Sequence, residues 1–63
     1  MTYKECENLY EEWEKTYNGE ILIDGTWKKI LDIEEDAHLG WVCILKDSTK
    51  IELIDIHRYN IRC

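Results

Sequence analysis

The sequence predicts an α+β fold, in which an amphipathic N-terminal helix packs on a small antiparallel five-stranded sheet or barrel. Three observations lead to this prediction. Apolar residues recur at helical spacing near the N-terminus, an Asp-Gly pair separates two apolar runs, and most later segments alternate apolar and polar residues. With 63 residues, no repeat and no linker, the chain is expected to be one domain. The helix would occupy residues 1–18 and the sheet residues 19–63.

The helix is predicted from one apolar stripe with a signal at each end. Thr2 followed by Glu5 fits a capping box, in which each side chain satisfies a free backbone N–H group. Asn18-Gly19 is expected to end the helix, because glycine adopts the left-handed conformation at little cost. The stripe consists of Tyr3, Cys6, Leu9, Tyr10, Trp13 and Tyr17.

The strands are predicted from alternation and turn residues. Asp24-Gly25 indicates a two-residue hairpin turn between the first strand, 21–23, and a second strand that begins at Thr26. In the second strand, Leu31 and Ile33 are expected on one face and Ile30 on the other. A polar loop, 35–38, would follow. Segment 39–46 is apolar on both faces, which favours a central strand, and a fourth strand is expected over 49–53.

The alternation fails after Leu53, where Ile54 and Ile56 are apolar and His57 is not. A bulge, a bend or a single helical turn is therefore expected at 54–58, before a last short strand. This order of elements resembles the SH3-like small barrels, and the resemblance covers residues 19–63. Those SH3 domains that bind proline-rich peptides carry a long acidic first loop, whereas this chain has the tight Asp24-Gly25 turn there.

The charge is strongly negative and unevenly distributed. The formal net charge is −6, and residues 1–36 hold eleven acidic and four basic residues. Nucleic-acid phosphates repel such a protein, so we expect no direct nucleic acid binding. No apolar stretch approaches the length of a membrane span, so we expect no membrane association either. A protein partner with a basic surface fits better. Three cysteines without paired spacing, together with the lack of a signal peptide or membrane-length apolar run, predict free thiols and a cytoplasmic location.

The sequence offers weak grounds for a metal site, a cofactor or catalysis, and we expect none of them. His38 and Cys43 lie five residues apart and His57 and Cys63 six apart, and neither spacing matches a zinc site. Convergence of Cys43, His57 and Cys63 is the remaining alternative for a metal protein or an enzyme. Otherwise Cys43 is interpreted as a packing residue of its strand.

We therefore expect a small acidic, non-catalytic inhibitor that blocks a nucleic-acid-handling protein, such as a CRISPR effector or another host-defence enzyme. In general character the chain is similar to the small phage-encoded anti-defence proteins, including anti-CRISPR proteins and DNA mimics, which would place it in a bacterial host cell. The alternative is an SH3-like adaptor without DNA mimicry. Either could be a monomer or a homodimer paired through the helix. The candidate partner-binding residues are Glu7, Glu11, Glu14, Asp32, Glu34, Glu35 and Asp36, with Tyr17, Trp27 and Tyr59 as aromatic anchors.

Overall fold

A computed structural model describes residues 1–63 and confirms the predicted class, one helix packed on five antiparallel strands. The elements are helix α1 (Tyr3–Thr16) and strands β1 (Glu20–Ile23), β2 (Thr26–Asp36), β3 (Gly40–Leu45), β4 (Lys50–Glu52) and β5 (Ile61–Arg62). Two 3₁₀ turns, Leu53–Asp55 and Arg58–Asn60, lie between β4 and β5. The strand order is β4-β3-β2-β1-β5, with every pairing antiparallel.

The sheet is open and does not close into a barrel. Its two edge strands, β4 and β5, contain only three and two residues and do not pair with each other. The turn at Leu53–Asp55 begins where the alternation was expected to break, so that expectation is confirmed. The barrel form that the SH3-like resemblance implied is absent, because edge strands of three and two residues can form few backbone hydrogen bonds with each other.

Strand β2 is long and divides into two halves. Residues 26–29 pair with β1, and Ile30–Asp36 pairs with β3, with a register shift between Ile30 and Asp32. The shift inserts Leu31 as an extra residue, whose side chain is 53% exposed, while Ile30 and Ile33 are both buried. The predicted sharing of one face by Leu31 and Ile33 is therefore wrong, since the bulge changes the alternation between them.

Helix α1 begins as predicted and ends two residues early. The Thr2 hydroxyl accepts the Glu5 N–H (3.1 Å) and the Glu5 carboxylate accepts the Thr2 N–H (2.9 Å), which confirms the capping box. At the other end Tyr17, not Gly19, takes the left-handed conformation, with φ of 53°. Gly19 is needed for a close approach instead, because a Cβ there would lie 3.1 Å from Trp13 Cδ1.

The core lies between α1 and the sheet. Three helix residues, Cys6, Leu9 and Trp13, are at most 3% exposed, so the apolar stripe is covered by the chain's own sheet. The centre of the stripe, through which the homodimer alternative would pair two chains, is thus already used within one chain. The core cluster comprises Cys6, Leu9, Trp13, Ile21, Ile30, Ile33, Trp41, Cys43, Leu45, Leu53 and Ile61.

Two hairpin turns differ in how well they agree with the prediction from the sequence. Asp24 and Gly25 both have positive φ, 50° and 78°, which confirms the two-residue turn. The expected polar loop 35–38 is shorter, because β2 continues to Asp36 before the chain turns. The Asp36 carboxylate then accepts the backbone N–H groups of His38 (2.7 Å) and Leu39 (3.0 Å). The acidic residues at 35 and 36 therefore lie on a strand and not in a loop.

Candidate functional site

One flank of α1 alternates tyrosine and glutamate at intervals of three and four residues, so that the side chains form a single row. Its two terminal tyrosines are well exposed, Tyr3 at 52% and Tyr17 at 64%. Three of its members, Tyr3, Tyr10 and Tyr17, repeat every seven residues. We call this row the Tyr–Glu flank: Tyr3, Glu7, Tyr10, Glu14 and Tyr17.

Trp41 of β3 joins the Tyr–Glu flank to the sheet. Its ring centroid lies 6.2 Å from that of Tyr3 and 5.3 Å from that of Tyr10. In the β2–β3 register Trp41 is opposite Glu35. Glu35 consequently lies beside Trp41 on the core-facing side of its strand, and extends the acidic surface from the helix to the sheet.

The pKa of Tyr10 is affected by carboxylates near its hydroxyl group. The Glu14 carboxylate, one turn further along the helix, raises the pKa of the Tyr10 hydroxyl. The Asp32 charge adds a smaller contribution to this increase, but Asp32 is paired with Ile44 and lies with Glu34 on the face of the sheet away from the helix. Glu11 follows Tyr10 on the helix and is exposed. The structure thus brings four predicted acids to this side: Glu7, Glu11, Glu14 and Glu35.

The other three predicted acids, Asp32 among them, lie elsewhere. Glu34 and Asp36 alternate with Glu35 along β2 and therefore lie on the face of the sheet away from the helix. On that face Val42 of β3 is paired with Glu34 of β2 on one side and with Glu52 of β4 on the other. Val42 is fully buried although it is not part of the core cluster. The acidic run 32–36 is accordingly divided between two surfaces by strand alternation.

Few carboxylates of this protein are paired with bases. The three ion pairs are Glu12–Arg58 (2.7 Å), Glu20–Arg62 (3.0 Å) and Asp36–Lys50 (4.0 Å). Asp36 is the only predicted site residue among them. The remaining predicted acids have no basic side chain within 4.0 Å, so their charges are free to act on a partner: Glu7, Glu11, Glu14, Asp32, Glu34 and Glu35.

The predicted aromatic anchors occupy three different environments. Tyr17 is exposed and packs edge-on against Trp13, with centroids 5.0 Å apart. Tyr59 is 77% exposed and stacks on His57 at 5.3 Å. Trp27 is half-buried under its own chain, because the Arg62 guanidinium lies 3.9 Å from its ring centroid. The structure groups only Tyr17 with the Tyr–Glu flank.

Sequence reasoning named Tyr17 of the helical stripe as a surface residue but did not single out Tyr3 and Tyr10, of which Tyr3 is exposed and Tyr10 packs partly against the core. The available signal was their position in the stripe. Tyr3, Tyr10 and Tyr17 lie at one margin of it, whereas Leu9 and Trp13 lie at its centre. Side chains at the margin of an apolar stripe border solvent, and tyrosine suits that border since its ring is apolar and its hydroxyl polar.

The thiols and imidazoles do not form a reactive group. Burial raises the pKa of the Cys43 thiol to about 11, and the thiol lies in the core, whereas His38 and His57 are exposed. Burial also raises the pKa of Cys6. Three or more His, Cys, Asp or Glu side chains do not gather anywhere in a metal-binding arrangement. The only α-helix, α1, lacks the length and apolar character needed to cross a bilayer.

No protein family matches the chain, and no curated protein or solved structure matches it either.

Proposed function

We propose that this protein is a small non-catalytic inhibitor, which docks its negative surface on a basic surface of a nucleic-acid-handling protein in the cytoplasm. A CRISPR effector or another host-defence enzyme has a groove of that kind, and a phage-encoded inhibitor would meet it in the bacterial host cell. The observation that carries the proposal is the Tyr–Glu flank. It combines exposed tyrosines with carboxylates that have no basic partner in their own chain.

The charge density of the helix supports partial imitation of a phosphate backbone. From Glu7 to Glu14 the helix rises about 10.5 Å, at about 1.5 Å per residue, and it carries a third carboxylate at Glu11 between them. Along one DNA strand a phosphate recurs about every 3.4 Å of axis. The helix thus presents one charge per about 5 Å, roughly two-thirds of the density of that strand. Glu35 adds charge beside it.

The tyrosines contribute the part of docking that charge does not supply. Tyrosine offers a large, rigid contact area with little loss of conformational entropy on binding. Arginine guanidinium groups stack on aromatic faces and also form hydrogen bonds with carboxylates. A surface that places Tyr3, Tyr10 and Tyr17 next to Glu7 and Glu14 therefore suits a partner rich in arginine. These residues lie on an open surface and not around a cavity, which favours docking over turnover.

The test compares two variants of equal charge. E7Q/E14Q removes two carboxylates from the Tyr–Glu flank, and D24N/D55N removes two exposed carboxylates outside that flank, so each changes the net charge from −6 to −4. Each variant is used to capture partners from a bacterial lysate, at low and at high salt. The proposal expects a nucleic-acid enzyme that wild type and D24N/D55N retain, that E7Q/E14Q loses, and that salt releases. Equal capture by E7Q/E14Q would contradict it.

An adaptor role without DNA mimicry is the second candidate, and the exposed aromatic rings favour it. Tyr3, Tyr17 and Tyr59 are each more than half exposed, and exposed tyrosines are frequent anchors of protein interfaces. An adaptor would hold its partner at high salt. It would lose that partner in Y3A/Y17A but keep it in E7Q/E14Q, and this retention, together with binding at high salt, distinguishes it from the acidic inhibitor.

A further inference from the structure

The positive charges of this acidic protein gather at the opposite end of β2 from the acids. Of the eight lysine and arginine residues, Lys50, Arg58 and Arg62 are held in ion pairs. Three of the five others line one shallow cavity of about 300 Å³. We call this cavity the lysine notch, and its walls are Lys28, Lys29, Leu45, Lys46 and Asp47.

The notch follows from the way β2 divides between its two neighbours. Residues 26–29 pair with β1 only, since the pairing with β3 begins at Ile30, opposite Leu45. Beyond Leu45 the chain leaves the sheet and turns through Lys46 and Asp47. Residues 26–29 of β2 therefore pair with β1 on one side and with no strand on the other. The notch lies between these residues and the turn at Lys46 and Asp47.

The lysines of the notch have one acid beside them, Asp47, whose pKa is held below its usual value by hydrogen bonds from Thr49 and, to a smaller extent, by the Lys28 charge. Glu20 is the cross-strand neighbour of Lys29, but its carboxylate is bound to Arg62 at 3.0 Å. Asp47 is the one acid in the wall, and its carboxylate accepts the Thr49 N–H at 3.0 Å. Three ammonium groups and one carboxylate leave the wall with a formal charge of +2. In a chain with nearly twice as many acids as bases, such a local excess is unexpected.

We propose that the lysine notch binds a small oxyanion of the pyrophosphate type, either free or as the diphosphate of a nucleotide. Ammonium groups bind phosphate oxygens as point charges without fixed direction, so three flexible lysines around an open cavity can enclose a compact, multiply charged anion. A single carboxylate offers fewer charges and would gain less. This inference does not depend on the docking of the acidic surface, which lies toward the other end of β2.

The first arm of the test is titration of the ¹⁵N-labelled protein with inorganic pyrophosphate at low salt, read from backbone amide shifts. The expected result is saturable shifts at Lys28, Lys29, Lys46 and Asp47. K28Q/K46Q should weaken this binding about tenfold or more, since a charge-assisted contact contributes about one order of magnitude. K4Q/K15Q is the matched control, because it also changes the net charge from −6 to −8 but alters only exposed helix residues.

The second arm compares ADP with adenosine. Saturable shifts with ADP and none with adenosine would show that the phosphates carry the binding, and the ratio of ADP to pyrophosphate affinity would distinguish a nucleotide from a free anion. The proposal is overturned if pyrophosphate up to about 10 mM gives no saturable shift. It is also overturned if K4Q/K15Q weakens binding as much as K28Q/K46Q, or if adenosine binds as tightly as ADP.

Discussion

Replacement of Leu9 by alanine tests whether α1 is an integral part of the fold. Leu9 is fully buried and lies between Cys6 and Trp13 on the side of the helix that faces the sheet. Alanine keeps the helix propensity high, so any loss of stability comes from the core contact and not from the helix itself. The substitution therefore isolates the packing of the helix on the sheet.

The expected loss is large compared with the total stability. Truncation of a buried leucine to alanine costs about 2–5 kcal/mol, the larger values arising where the surroundings cannot collapse into the cavity. A chain of 63 residues at about 0.05–0.15 kcal/mol per residue has about 3–9 kcal/mol in all. Since Leu9 is enclosed by both helix and sheet, we expect a loss of about 3 kcal/mol, which removes a third or more of the free energy of unfolding.

Urea denaturation followed by tryptophan fluorescence measures this loss, because Trp13 and Trp41 are buried in the folded state. The control is Asn8→Ala, an exposed neighbour on the same helix, for which the change should stay within about 0.5 kcal/mol. A loss below about 1 kcal/mol in Leu9→Ala would refute the described packing. A reduced slope with denaturant, at an unchanged midpoint, would show instead that the helix separates before the sheet unfolds.

Three further predictions concern single residues. Gly19→Ala should lower the free energy of unfolding by about 1–3 kcal/mol in the same urea assay, because its Cβ would crowd the helix at 3.1 Å. Alkylation with iodoacetamide at neutral pH, followed by mass spectrometry, should label the exposed Cys63 first; equal labelling of the buried Cys6 and Cys43 would contradict the described core. Backbone hydrogen bonds hold the pKa of Asp36 below its usual value. Its folded pKa therefore lies below its unfolded one, so its stabilising effect is present above about pH 4 and disappears as pH falls through the folded pKa. Asp36→Ala should flatten the acid side of the curve of urea midpoint against pH.

The parts of the fold that local chemistry determines were predicted correctly. The capping box at Thr2 and the Asp24-Gly25 turn depend on residues within three positions of each other, and both have the expected geometry. The end of the helix was misplaced because two signals coincide near it. Gly19 is a typical helix stop, yet its lack of a side chain is used for the contact with Trp13, and Tyr17 adopts the left-handed conformation in its place.

The sequence identified the acidic residues of the candidate site, but it did not predict which of them lie together in the folded protein. The acids were identified from their number and from the scarcity of neighbouring bases, which a sequence shows directly. Their grouping depends on contacts between α1, β2 and β3, residues far apart in the chain, and no local pattern specifies these. Trp41 is the example, because its contacts with Tyr3 and Tyr10 are what place the helix acids beside Glu35.

The bulge at Leu31 decides which acids face which surface. Without the extra residue, strict alternation from the buried Ile30 would turn Ile33 and Glu35 away from the helix and bring Glu34 toward it. Burial of Ile33 in the core opposes that arrangement, since an exposed isoleucine would forfeit about 1.5–3 kcal/mol of hydrophobic stabilisation. The core therefore selects the bulge, and the bulge in turn places Glu35 beside Trp41 and sends Glu34 to the opposite face. The acidic surface next to the helix is thus a consequence of how the core packs, which explains why the run 32–36 could be found in the sequence but not divided correctly there.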